Sequence, residues 1–208
     1  PDTPQHLVPF LAAGCVIEPE ARSPVLDCRA VRAIHTFGCL YGTDLLFIDS
    51  SFASLRYPIA ECRFQPGDYA PPLKGWGLVR LGCLLPLYRR YVIARDGHFL
   101  LARTAEDLAS ALQPIESEAA ALAFATAATP AVPLAVLPER RELLVPHFEP
   151  TRVERTEDGF DVRLFEEQRC GCGPHPTFGL TVHVQRNGAT TIRDKKVVFR
   201  DMSTACVD

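Results

Sequence analysis

The chain has 208 residues, 47% of them apolar and 23% charged, and a formal net charge of −3. That length can bury a sizeable core, and the apolar share excludes wholesale disorder. The mildly acidic balance supplies no basic surface of the kind that nucleic acid or anionic lipid needs, so neither is expected as a partner.

Eight cysteines are the main compositional signal. They are Cys15, Cys28, Cys39, Cys62, Cys83, Cys170, Cys172 and Cys206, an even number without the paired C-x-x-C knuckles of a zinc site. That pattern fits disulfides and an oxidising compartment: secreted, periplasmic or cell-surface. Leu11–Cys15 has the wording of a lipid-attachment box, but the stretch before it is short, broken by Pro9 and without a basic region. No stretch approaches the roughly 18 consecutive apolar residues of a spanning helix, so no membrane span is expected.

In chain order, residues 1–27 carry five prolines and little periodicity, which predicts an irregular arm docked through Leu7, Val8, Phe10 and Leu11 and fixed by Cys15. The apolar run within Asp44–Asp49 predicts a buried strand. Arg56–Phe64 predicts another, kept near an edge by Pro58, and Gln65–Pro72 a loop. Tyr88–Ala94 and Phe99–Arg103 flank Arg95-Asp96-Gly97-His98, a hairpin signal. Thr104 and Asp107 open a helix with a capping box, and Pro114 ends it. A second helix runs from a Ser117 cap to about Ala128, with Leu122 as its main large apolar residue and alanines that let it lie flat on a sheet. The dipeptides Asp158-Gly159 and Asn187-Gly188 predict type I′ hairpin turns. Between them Phe160, Val162 and Leu164, and later Leu180, Val182 and Val184, alternate with polar residues, so His183, Thr181 and Gln185 are expected on the wet face.

The expected fold is therefore α+β: mainly antiparallel sheet with two short helices, stapled by disulfides. Residues 1–86 form a proline- and cysteine-rich β-type subdomain. Residues 87–208 supply a hairpin, two helices and a four-stranded antiparallel sheet, the whole expected as one compact body. Five cysteines lie in the first half and three at the far end, so complete pairing needs at least one bridge between the halves. Cys206 is expected to bridge to Cys170 or Cys172, with the other of those two reaching a cysteine of the first half. The spacing of Cys170 and Cys172 would strain a ring between them.

The helix opening Ser117-Glu118-Ala119-Ala120-Ala121-Leu122-Ala123, followed by strands that include Val182-His183-Val184-Gln185-Arg186-Asn187-Gly188, resembles the PepSY and cystatin-like helix-on-antiparallel-sheet modules. The resemblance covers about Thr104 to Arg200. It implies an exported, partner-binding or inhibitory module. The run Cys170–His175 departs from that pattern, so the resemblance carries no residue role.

Candidate chemistry is sparse. Cys170, Cys172 and His175, with His183, are the right donor types for zinc or copper, but C-x-C is poor spacing for structural zinc. Bridged cysteines cannot serve as nucleophiles, and the chain lacks G-x-S-x-G, a phosphate loop and H-E-x-x-H. The carboxylates Glu139, Glu142, Glu154, Glu157, Asp158, Glu166 and Glu167 are interleaved with arginines, as on a solvated face. No catalytic residue and no cofactor are therefore assigned. The expectation is an exported, non-enzymatic binding or structural module that meets a protein or cell-surface partner through a surface rather than a cleft. A small secreted hydrolase and a metal-binding protein using Cys170, Cys172 and His175 are the alternatives.

Overall fold

A computed structural model describes residues 4–18, 25–39, 44–66, 75–203 and 206–207. The expected loop over Gln65–Pro72 lies, from Gly67 onward, outside the described residues. The chain divides into two compact units: residues 1–81 with 85–113, and residues 82–84 with 114–208. The hairpin and the first capped helix thus belong with the first half of the sequence, whereas the division by composition at residue 86 placed them with the second.

In the first unit the N-terminal arm is more regular than its prolines suggest. A short helix α1 (Val8–Ala12) accepts Pro9 in its first turn, where no amide hydrogen is needed, and leads into β1 (Val16–Glu18). Leu7 and Phe10 are buried as expected, but Val8 faces solvent. Next come β2 (Val25–Asp27), a single-turn helix α2 (Arg32–His35), β3 (Leu45–Phe47) and β4 (Ile59–Phe64). β5 (Val79–Arg80), β6 (Tyr88–Arg95) and β7 (His98–Ala102) complete an antiparallel sheet ordered β1-β2-β3-β4-β6, with β5 and β7 sharing the far side of β6. Pro58 precedes β4 without entering it, so β4 is an interior strand rather than an edge. Asp96 and Gly97 turn the β6–β7 hairpin with φ of 51° and 76°, the backbone a type I′ turn demands.

One face of this sheet packs Leu26, Leu46, Ala60, Cys62 and Val92 against Leu7, Phe10, Val31 and Ile34. Two disulfides run through that core, Cys15–Cys28 and Cys39–Cys62, all four residues being buried. Helix α3 (Ala105–Leu112) packs on β7 and has the expected capping box between Thr104 and Asp107.

In the second unit α4 (Glu118–Ala128) is capped by Ser117 and packs on strands of a sheet. Leu122 is only half-buried; Phe124 is the anchor, with Ala121, Ala123, Ala125 and Ala127 making the close approach. The sheet has five strands rather than four. β8 (Arg141–Leu143) adds to β13 (Thr190–Asp201), followed by β12 (His175–Gln185), β10 (Gly159–Glu167) and β9 (Val153–Arg155). The helix-on-sheet arrangement is present here, without the first capped helix.

Both hairpin dipeptides of this unit act differently from expectation. Gly159 is the first residue of β10 rather than a turn residue. A Cβ there would lie 2.1 Å from the Val184 carbonyl oxygen, so close backbone approach requires the glycine. At the second turn only Gly188 has positive φ, 82°, and Gln185 bonds Ala189, which is a turn followed by a left-handed glycine rather than type I′.

The two remaining disulfides settle the alternatives left open for Cys206: they are Cys172–Cys206, and Cys83–Cys170 joining the two halves of the sequence. The first of these sits across the small ladder of β11 (Gly171–Cys172) and β14 (Cys206–Val207). Its sequence separation of 34 corresponds to about 3–4 kcal/mol in the chain-entropy account. The double variant Cys172→Ser/Cys206→Ser should lose about that much stability in denaturant unfolding. Unchanged stability would show that the tail contributes nothing.

Candidate functional site

β4 reads Ile59-Ala60-Glu61-Cys62-Arg63-Phe64, and period two puts Ala60 and Cys62 in the core and Glu61 and Arg63 on the opposite face. There Arg63 Nε donates to Glu61 Oε1 at 2.7 Å, and its guanidinium lies 3.7 Å over the Phe47 ring from β3. Arg89 on β6 approaches the other carboxylate oxygen of Glu61 at 3.2 Å. The Glu61 carboxylate is therefore held between two guanidinium groups, which leaves the trio with one positive charge in excess. Tyr91, opposite Glu61 in the register, is fully buried. Burial pushes its hydroxyl well above the ordinary phenol range, with Arg89 pulling the other way. Phe52 stands edge-on to its ring.

A cleft of about 600 Å³ opens beside this cluster. Leu7, Ile17 and Ile48 give it apolar walls, while Asp49, Ser50, Glu61, Arg63 and His6 supply polar groups. Asp49 Oδ1 accepts the Ser51 amide at 2.8 Å and so caps the turn Ser50–Ser54. The Nε2 atom of His6 is buried and has no hydrogen-bond partner among the described residues. Serine, histidine and aspartate thus line one cleft, yet no Ser–His hydrogen bond joins them, and the aspartate is committed to a backbone amide. Sequence reasoning missed this site. Its one legible signal was the alternation of charge with Ala60 and Cys62, which marks Glu61 and Arg63 as sharing a face.

The metal candidates do not come together. Cys170 is bonded to Cys83 and Cys172 to Cys206, so neither has a thiolate to offer. His175 opens β12 and is buried, whereas His183 is eight residues further along that strand, about 26 Å away at strand rise. Among the described residues no group of three or more His, Cys, Asp or Glu is placed to hold an ion.

His183 is not on a wet face. It is 3% exposed, its Nδ1 lies 2.7 Å from Asp161 Oδ1, and its Nε2 lies 3.2 Å from an oxygen of Asp158. Each ring nitrogen therefore lies within hydrogen-bond reach of a carboxylate oxygen. Arg193 closes the network on Asp161 at 2.9 and 3.0 Å. On the same face Arg163 is buried and pairs with Glu149 at 3.5 Å. Register explains the clustering, since Asp161 is opposite His183 and Arg163 opposite Thr181. A residue that is outward by alternation is here covered by its own charged neighbours.

The outer edge of β13 is another part of this sheet that could pair with a partner. β8 covers it only at 199–201, so 190–197 carry no further strand among the described residues. That stretch holds Arg193, Asp194, Lys195 and Lys196 and a ladder irregularity at Arg193, the devices by which a sheet edge is kept from pairing.

No family model matches this chain, and no curated protein or solved structure matches it either. Its functional reading therefore rests on its own geometry.

The hydrogen bond from His183 holds the Asp158 carboxyl below its ordinary range. A carboxylate held low in the folded chain adds stability above its unfolded pKa of about 3.9 and loses it as pH falls through the lower folded value. Asp158→Asn should lower stability near neutral pH and flatten part of the loss below about pH 4 in urea unfolding. An unchanged acid limb would show that the contact carries no linkage.

Proposed function

We propose that this protein is a non-enzymatic binding module of an oxidising, extracytoplasmic compartment, and that it binds through the cleft of the first unit. The observation that carries this reading is the construction of the cleft. Its apolar walls stand beside an arginine that is laid on Phe47 and fixed by Glu61, the arrangement of a preformed small-ligand pocket. This moves the binding locus from the open surface expected from sequence to a concavity. Four disulfides with no free cysteine support the compartment. No helix among the described residues is long and apolar enough to cross a membrane.

The hydrolase alternative finds less support. Bridged sulfurs are unavailable, and the serine, histidine and aspartate of the cleft are not linked as a relay. Several acidic side chains of the second unit are engaged with cations: Glu142 with Arg200, Glu149 with Arg152 and Arg163, Glu166 with Lys195. These pairs leave that face as a solvated, self-neutralised layer.

The test is a titration of the labelled protein with a panel of small apolar acids, amines, sugars and short peptides, followed by amide NMR. The reading predicts shifts confined to Phe47–Ser50, Glu61, Arg63 and Ile17 for at least one class, with the ligand recovered unchanged. Chemical conversion of the ligand would contradict it. So would shifts that map only to the second unit, or no shift from any class.

A further inference from the structure

Resting on the cleft as the binding site, we propose that it takes the carboxylate end of an apolar ligand, and that Arg63 is the anchor. Arg63 spends only Nε on Glu61. Its two terminal nitrogens have no partner among the described residues, and the side chain is 36% exposed. Those two nitrogens form the fork that matches a carboxylate in bidentate fashion. The fork is held before any ligand arrives, by the 2.7 Å bond to Glu61 on one side and the Phe47 ring at 3.7 Å on its face. Preorganisation of this kind removes much of the ordering cost that an exposed arginine would meet on binding.

The local charge permits an anion. Glu61 lies between Arg63 and Arg89, so that trio carries a net positive charge. Asp49 is the countervailing group. One of its oxygens is taken by the Ser51 amide, and the carboxylate is an acceptor only. A ligand with an N–H donor near its carboxylate can use it. Leu7, Ile17 and Ile48 provide the apolar wall, with Ile17 45% exposed in the free protein and so able to gain contact with a ligand. His6 Nε2, buried without a partner, is one further polar atom at the cleft.

A carboxylate on an apolar body has two sources, a peptide C-terminus or a free aliphatic acid. The probes are a tripeptide ending in phenylalanine, the same tripeptide as its C-terminal amide, and octanoate, each titrated into the intact protein and followed by amide NMR. The expected result is that the free acid binds about tenfold or more tighter than the amide, with shifts at Glu61 and Arg63. Octanoate binding as tightly as the tripeptide assigns a free acid; binding by the tripeptide alone assigns a peptide terminus, with Asp49 receiving its N–H. Arg63→Gln should abolish the preference of acid over amide while residual amide binding persists. Equal affinity of acid and amide in the unaltered protein overturns the anchor and leaves the cleft standing as a binding site. Retention of the acid preference in Arg63→Gln overturns it as well. Should that variant lose its disulfides or its fold, the acid–amide comparison in the unaltered protein still decides.

Discussion

The register of β4 is the constraint on which the first unit depends. Cys62 points into the core and is bonded to Cys39, and its neighbours Glu61 and Arg63 are thereby sent to the other face. The strand is paired on both sides, Leu46 and Phe47 against Cys62 and Glu61, and Ile59–Phe64 against Ile93–Tyr88. A slip of one residue would bury two charges and expose a sulfur bonded elsewhere. The disulfide blocks that slip covalently. Everything about the cleft that matters chemically, the stacked arginine and the doubly paired glutamate, follows from this one alignment.

The second unit uses its charges differently. His183, Asp158, Asp161 and Arg193 satisfy one another, and Arg163 lies beneath the connection through Glu149. A network of that kind, buried at His183 and exposed at Asp158 and Arg193, ties the charges of the second face of the sheet to one another. Arg63 in the first unit is the contrast, because it is a fixed cation with unused donors that lines a cleft. The difference is not one of residue types. Both clusters hold arginine, acid and histidine, and it is the apolar-walled cleft beside Arg63 that separates them.

Much of the fold was legible. The two capped helices, the Asp96-Gly97 hairpin, the apolar face Leu180, Val182 and Val184, and the return of Cys206 to the Cys170–Cys172 run all follow from local chemistry. The missed features are those set by distant partners. Gly159 looked like a turn glycine, but its need for a missing Cβ comes from Val184 across the ladder. His183 alternated outward, but Asp161, Asp158 and Arg193 cover it. The strand Arg141–Leu143 was hidden in a proline-punctuated connection because three residues give no periodicity. The cleft escaped notice for the same reason, since Phe47, Glu61 and Arg63 meet only when β3 and β4 pair. The order of the sequence does not reveal that pairing.

The central claim, that Arg63 is a free and preorganised donor facing a ligand cleft, is tested most directly by arginine-specific dicarbonyl labelling read by mass spectrometry. The labelling is run with and without a saturating apolar carboxylic acid. The account predicts that Arg63 is labelled in the free protein and protected by the acid, while Arg193, which does not line the cleft, is unaffected by it. Labelling of Arg63 that is indifferent to the acid, or protection spread evenly over the arginines of both units, would contradict it.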